Sequence, residues 1–337
     1  MKRLSVYFAA PRRVEVREED VSSPAPNQVL VKTLVSAISP GTELLFYRGQ
    51  APADIPVDET ITSLAGNAHF PIKYGYAAVG RVFEVGPDAP TDWLDRLVFC
   101  FNPHESYFVA ATNDLMPIPP DLSPEDAAFL PNMETAVNLV MDGQPVIGER
   151  VAVFGQGVVG LLTTALLSNF PLARLITLDG FAPRREKSLE LGARASFDPA
   201  AQDAFDQLRA ALDGAGADLT YELSGNLAAL DQAIVATGFS GRVVIGSWYG
   251  QKRAALNLGG RFHRSRIRLI SSQVSTIAPE WTGRWTKSRR FETAWRMIEQ
   301  IKPAGLVTHR FAVGQAEQAY ALLDEHPEQA IQVMFSY

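Results

Sequence analysis

Cysteine is almost missing from this chain: Cys100 is the only one in 337 residues, which excludes an internal disulfide and any multi-cysteine zinc site. A reducing, cytoplasmic setting is the expectation. An excess of positive charge is lacking too. Lysine and arginine number 31 against 37 acids, a net charge of -6, so the chain as a whole has no attraction for nucleic acid or an anionic membrane. The opening MKRLSVYFAAPRRVEV is basic at its start but has no adequate apolar core for a signal peptide, and it reads as a first strand. Internal repeats and low-complexity segments are also absent. What remains is an ordinary globular composition, 47% hydrophobic and 20% charged, in a length that suits two domains.

One stretch lacks charge in a more informative way. Val151 to Pro171, VAVFGQGVVGLLTTALLSNFP, is the least polar part of the chain, and no charge follows until Arg174. Its length would allow a membrane span. Gly155, Gly157 and Gly160 argue otherwise: a short β-prone run precedes them, and the helix-forming Leu161, Leu162, Ala165, Leu166 and Leu167 follow. The order strand, glycine turn, helix gives G-x-G-x-x-G its physical meaning, a tight turn that lets backbone approach a pyrophosphate at a helix N-terminus. The next strand, Arg174 to Leu178, ends in Asp179, close to the offset at which a carboxylate meets an adenosine ribose.

Around this motif the chain changes regime. From Met1 to about Asp121 it shows short strands with turn punctuation, at Gln28 to Val35, Ala77 to Val85 and Leu97 to Phe101. Ser123 then offers an N-cap with Pro124 at the first helical position. After Val151, strands at Leu175 to Leu178, Leu219 to Glu222, Val243 to Gly246 and Ile267 to Ser271 alternate with helices at Pro183 to Leu191, Phe205 to Leu212 and Leu227 to Thr237. Such alternation predicts a doubly wound parallel sheet with helices on both faces. The tail carries amphipathic helices at Arg290 to Ile301 and Gln315 to Glu325, then a strand at Ile331 to Phe335.

Nearly the whole chain resembles the medium-chain dehydrogenase/reductase superfamily, and in particular a subgroup of alcohol dehydrogenase-like proteins that includes 2-desacetyl-2-hydroxyethyl bacteriochlorophyllide a dehydrogenase. VLVKTLVSAISPGTELLFYRG resembles the segment that supplies the first metal ligand of the zinc enzymes, and YGYAAVGRVFEVG the one with their Gly-His-Glu signature. The resemblance implies an α/β chain: a β-rich GroES-like domain from residues 1–130 and 272–337, and a Rossmann domain from 131–271. It also implies a homodimer acting on a small-molecule substrate.

The departures are as informative as the match. Pro40 stands where the ligand cysteine would be, Tyr76 and Ala77 replace the histidine and glutamate, and the third ligand position falls at or near Pro131. Zinc needs thiolate, imidazole or carboxylate, so no zinc is expected. His69, in a loop, and His104, at the start of a strand, are too scattered to replace the lost ligands.

Hydride transfer belongs to the nicotinamide and survives loss of the metal; the electrophile and the proton relay need substitutes. By resemblance Thr42 sits at the relay position, and Tyr76 puts a phenol where the histidine would be, either as general acid or oxyanion donor or simply as filling volume. Glu43 reads as a structural hydrogen-bond partner and Glu134 as a candidate on the substrate side. For the cofactor the resemblance implies Gly155, Gly157, Val158, Val159 and Gly160 at the turn, Val159 behind the nicotinamide and Thr135 beneath it. Ser224 and Asn226 would lie near the adenine, and Ser247 completes the set. Asp179 favours NAD over NADP because a carboxylate repels a 2'-phosphate. Arg184 fits either cofactor, and the alternative is that Arg184 and Arg185 together offset the aspartate and admit NADP.

Three readings follow. The leading one is a zinc-independent NAD(P)-dependent oxidoreductase acting on a hydroxyl or carbonyl group; a quinone or enone reductase and a non-catalytic dinucleotide-binding sensor are the alternatives. A final feature concerns the substrate. Gln251 to Arg290 carries ten lysines and arginines against Glu280 alone, a local balance of +9 that leaves -15 elsewhere. With Trp281 and Trp285 among these cations, a large anionic ligand is one expectation and a dimer contact with the acidic remainder is the other.

Overall fold

The computed structural model describes residues 1–52, 61–64 and 69–337, and the chain divides into two compact units, Met1–Pro131 with Ile298–Tyr337, and Asn132–Met297. The elements run in chain order as β1 (Lys2–Ala10), β2 (Arg13–Asp20), β3 (Gln28–Ala37), α1 (Pro40–Tyr47), β4 (Ile72–Lys73), β5 (Ala78–Val85), β6 (Leu97–Cys100), β7 (Tyr107–Ala111) and β8 (Leu115–Pro117). Then come α2 (Pro124–Ala127), α3 (Leu130–Gly143), β9 (Arg150–Phe154), α4 (Val158–Leu167), β10 (Arg174–Leu178), α5 (Ala182–Glu190), β11 (Ala195–Phe197) and α6 (Ala204–Ala211). The rest are β12 (Ala217–Glu222), α7 (Leu227–Ala236), β13 (Thr237–Ile245), β14 (Arg268–Ser271), α8 (Lys287–Ile301), β15 (Val307–Ala312), α9 (Ala316–Glu325) and β16 (Gln332–Ser336). No described helix is long and apolar enough to cross a membrane.

In the first unit β2, β1 and β4 form one sheet, while β15, β16, β3, β5, β6 and β8 form another, with β7 also on β3. Strand alternation supplies its cores. Val29, Val31, Ala78, Val82, Val98, Cys100 and Phe108 pack in one cluster, and Phe8, Ile38, Phe46, Tyr74, Tyr320 and Phe335 in a second that seats α1 and α9. Tail strand β16 pairs antiparallel with β3, Met334 opposite Ala37, so the end of the chain completes the sheet begun near its start.

The second unit is the doubly wound parallel sheet expected from the alternation, in the order β11-β10-β9-β12-β13-β14. Its two faces can be read from one strand. Ala152 and Phe154 of β9 face a core with Leu208, Ala233 and Ile234 of α6 and α7; Val151 and Val153 face Leu139 of α3 and Leu167 of α4. A period of two therefore buries both sides of the strand, which is why the sequence shows a continuous apolar run there.

The second compact unit runs on to Met297, past residue 271 where the expected Rossmann domain ends. Arg290 of α8 is fully buried and holds the segment to α3: its Nε and Nη2 donate to Glu134 Oε1 at 3.0 and 2.8 Å, and its Nη1 donates to Asn138 Oδ1 at 2.5 Å and the Thr276 carbonyl at 3.0 Å. Ser272 donates to Asp142 Oδ2 at 2.6 Å and accepts from Asn138 at 3.0 Å. Breaking a buried, hydrogen-bonded ion pair of this kind costs about 3–5 kcal/mol.

Candidate functional site

In the second unit the glycine turn lies between β9 and α4. Gly155 has φ +89, and a Cβ there would fall 2.6 Å from the Ser224 backbone. At Gly160 a Cβ would sit 1.9 Å from the Gly155 carbonyl oxygen, so the helix can approach the turn only without a side chain. Gly157, the N-cap of α4, is different: φ is -66, and a Cβ would meet nothing within 4 Å. Neither strain nor internal packing accounts for that glycine. It leaves a cradle at a helix N-terminus open to an approaching phosphate, and the residues present fit a dinucleotide.

Asp179 binds the turn from the side. It is buried, with Oδ2 accepting from the Gln156 N–H at 2.7 Å and Oδ1 from the Phe181 N–H at 2.8 Å, so the carboxylate orients the loop while keeping lone pairs for a further partner. Arg184 stacks over the Phe181 ring at 4.8 Å. Arg185 donates to the Asp179 carbonyl at 2.8 Å and lies 3.6 Å from Asp198.

At the ends of β12 and β13 fully buried Glu222 organises the next turn. Its Oε1 accepts from the Ser224 N–H at 2.8 Å and the Ser224 hydroxyl at 2.5 Å, and Tyr249 donates to Oε2. Asn226 caps α7, and the Ser247 hydroxyl accepts from the Gly225 N–H at 2.9 Å. Val158 is buried in the first turn of α4, Val159 packs partly against the core of the α3 face, and Thr135 lies half-buried on α3. All the expected cofactor residues thus belong to one unit.

The expected chemical residues do not. Thr42 lies half-buried in the first turn of α1, and no hydrogen bond engages its hydroxyl among the described residues. Tyr76 donates instead to Ser39 Oγ, at 2.5 Å. Ser39 is the N-cap of α1, yet its side chain makes no capping bond. Glu43 Oε1 reaches back from the first turn and accepts from the Ser39 N–H at 2.7 Å, fixing the backbone at the helix start. Ser39 escaped sequence reasoning, although Ser-Pro-Gly-Thr-Glu carries the marks of a helix start.

Glu134, the candidate on the substrate side, lies in the second unit. It is 4% exposed, with Oε1 committed to Arg290; burial pushes its carboxyl above the ordinary range, against the pull of that guanidinium. The position serves to anchor α8.

The zinc fit fails at these positions. Pro40 and Pro131 offer no ligand atom, Ala77 is buried without one, and the Tyr76 phenol is engaged with Ser39. Nor is His104 a replacement, because Nδ1 lies 2.7 Å from Ser36 Oγ and Nε2 lies 3.0 Å from Glu43 Oε2, which occupies both nitrogens.

In the basic segment Arg290 is internal, and the two tryptophans lie beside cations of the segment. Arg284 lies 4.7 Å over Trp281 and Arg289 lies 4.3 Å over Trp285. Neither guanidinium has a carboxylate partner among the described residues.

A family model described as "Zinc-binding dehydrogenase" matches residues 158–299. The chain is 28% identical to an Escherichia coli protein called an uncharacterized zinc-type alcohol dehydrogenase-like protein, over 95% of both chains. To 2-desacetyl-2-hydroxyethyl bacteriochlorophyllide A dehydrogenase of Cereibacter sphaeroides it is 26% identical, covering 97% of this chain and 96% of that one. Its fold is similar to a solved Escherichia coli structure described as a short chain alcohol dehydrogenase complexed with the cofactor NADH, with TM-score 0.80 at 17% identity over 100% and 99% of the two chains.

Proposed function

We propose that the chain is a zinc-independent NAD(P)-dependent oxidoreductase of the medium-chain dehydrogenase/reductase superfamily, acting on a hydroxyl or carbonyl group, a reading supported by its similarity to zinc-type alcohol dehydrogenase-like proteins. One observation carries the reading: an intact glycine cradle coexists with Pro40, Tyr76, Ala77 and Pro131 at the metal-ligand positions, and the phenol among them is hydrogen-bonded to Ser39.

When bound, the nicotinamide supplies hydride exchange with a carbon centre. This chain's residues do the rest. Gly155, Gly157 and Gly160 admit the pyrophosphate to the N-terminus of α4, and Asp179, held by two backbone amides, accepts from the adenosine ribose, which favours NAD. Tyr76 holds the proton that the reacting oxygen gains or loses, taking over the polarising role of a metal. Arg284 and Arg289, stacked on indoles and unpaired with acids among the described residues, supply positive charge for an anionic substrate. The proposal includes a homodimer in a reducing compartment.

The test combines metal analysis with turnover. Far less than one zinc per chain, together with NADH- or NADPH-dependent reduction of an aldehyde and ketone panel, is the expected result. Stoichiometric zinc that survives chelation and supports activity would refute zinc independence. Turnover confined to quinones or enones, or tight cofactor binding with no turnover on any panel, would replace the reading by a C=C reductase or a sensor.

A further inference from the structure

The side chains around the start of α1 close a circuit that begins and ends at Tyr76. Its hydroxyl donates to Ser39 Oγ at 2.5 Å, and the Ser39 N–H donates to Glu43 Oε1 at 2.7 Å. Glu43 Oε2 lies 3.0 Å from His104 Nε2 and accepts from the Tyr320 hydroxyl at 2.5 Å. The His104 ring lies against Gly75, where a Cβ would come within 2.7 Å of it, and Gly75 precedes Tyr76 in the chain. Glu43, His104, Tyr320 and Ser36 are all fully buried.

Burying a carboxylate beside an imidazole costs several kcal/mol per ion if both are charged, and hydrocarbon would pack the same space more cheaply. The arrangement therefore points to what it holds. Glu43 holds the Ser39 backbone through its N–H, while the Ser39 hydroxyl, which makes no capping bond to the helix amides, meets Tyr76. His104 keeps the backbone before Tyr76 in place from the other side, with Nδ1 fixed 2.7 Å from Ser36 Oγ, itself 2.7 Å from the Tyr337 hydroxyl. Tyr74 adds a third support, its ring stacked 4.0 Å from Phe46 of α1 and edge-on to Tyr76 at 6.1 Å.

We propose that Ser39 is the partner hydroxyl of Tyr76 in proton transfer, and that the buried Glu43–His104 pair positions the two. The inference rests on the hydroxyl/carbonyl reading above. In the direction of carbonyl reduction the phenolic O–H bond of Tyr76 breaks and its proton forms the O–H bond of the product alcohol, while the hydride of the reduced nicotinamide supplies the electron pair at carbon. The Ser39 hydroxyl then turns to donate to the phenolate oxygen, which regains its proton from water. In alcohol oxidation each step reverses. Tyr76 is the catalytic residue; Ser39, Glu43 and His104 are positioning residues.

The experiment pairs carbon-13 NMR of ring-labelled tyrosine with kinetics. The Tyr76 signal is identified as the one lost in Tyr76→Phe. Ser39→Ala and Glu43→Gln are expected to move that signal and leave the dinucleotide Kd unchanged, and Ser39→Thr to restore it. On the aldehyde and ketone panel, Ser39→Ala should lower kcat about 10- to 100-fold, the worth of a hydrogen bond to a charged oxygen, with KM unchanged and the kcat pH profile displaced. Ser39 is only half-buried, so its variants keep the test open even if Glu43→Gln does not fold. A Tyr76 signal indifferent to folded Ser39→Ala would overturn the positioning. Undiminished kcat in Tyr76→Phe would overturn the proton transfer. Absence of turnover by the unmodified enzyme would sink the oxidoreductase reading and the transfer with it, while the NMR arm still decides whether the pair is positioned.

Discussion

The two units present functional groups by opposite means. The second uses backbone: three glycines, two amide N–H groups held by Asp179, and the start of α4. The first uses side chains from distant places, with Ser39 and Glu43 on α1, Tyr76 before β5, His104 before β7 and Tyr320 on α9. A backbone site needs neighbours in sequence, because consecutive residues must share one turn. A side-chain site needs only neighbours in space.

That contrast can be broken most sharply at Gly157. Gly157→Leu should weaken dinucleotide binding by about 100-fold or more in a fluorescence titration, because the side chain enters the phosphate's space, while the melting temperature stays put. Gly160→Ala should instead lose stability, its Cβ meeting a carbonyl 1.9 Å away. Equal cofactor affinity in folded Gly157→Leu would remove the cradle. Next comes Arg290→Ala, which strands Glu134 in the interior and should cost about 3–5 kcal/mol in denaturant unfolding of the second unit. A change under about 1 kcal/mol would mean that the segment after β14 is held by something other than this pair.

Acid separates the units further. In the first, burial disfavours ionised Glu19, but bonds from Lys73, Tyr7 and Ser5 outweigh it and hold the carboxyl at about 2. A depressed carboxyl contributes stability above the ordinary range and loses it as pH falls through the folded value. Glu19→Gln should therefore flatten the loss of stability between about pH 4.5 and 2; an unchanged acid slope would discard this assignment. In the second unit burial raises Glu134 and Asp142, so their contribution is present at low pH and fades as pH rises through their raised values.

Smaller effects test selectivity. Asp179→Ala should lower affinity for both dinucleotides, since Gln156 and Phe181 lose their acceptor, and narrow the NAD preference by about tenfold. Tighter NADP binding by the unmodified protein would show Arg184 prevailing. Smallest is Arg284→Glu, expected to raise KM for an acidic substrate by about two- to fivefold in a salt-dependent way. Dissociation of the oligomer with KM unchanged would assign the strip to a subunit contact.

The sheet and its glycine turn were legible because each depends on a local pattern: apolar runs for strands buried on both faces, glycines where a Cβ collides, Ser123 as a cap. Helix α3 was not legible, since Pro131 near its start and Asn, Glu and Asp on its buried side mask the periodicity. The acids of α3 become interior residues only when Arg290 and Ser272 arrive from more than a hundred residues away. For the same reason Glu134 resembled a substrate contact in the sequence, and Ser39 resembled nothing. Its role depends on its hydroxyl meeting Tyr76 rather than the helix amides, a choice of partner that residue types alone leave open.

Cys100 carries a last consequence, concerning electrons rather than packing. Burial pushes its thiol up to about 12, and the Asp114 charge adds to the effect, so thiolate is scarce near neutrality. Without a thiolate there is no ready route to sulfenic acid or mixed disulfide, and without a second cysteine there is no dithiol to cycle. An oxidoreductase built this way has no sulfur redox couple of its own: oxidative stress has no thiol switch to throw, and each electron pair it moves must arrive and leave with a bound molecule.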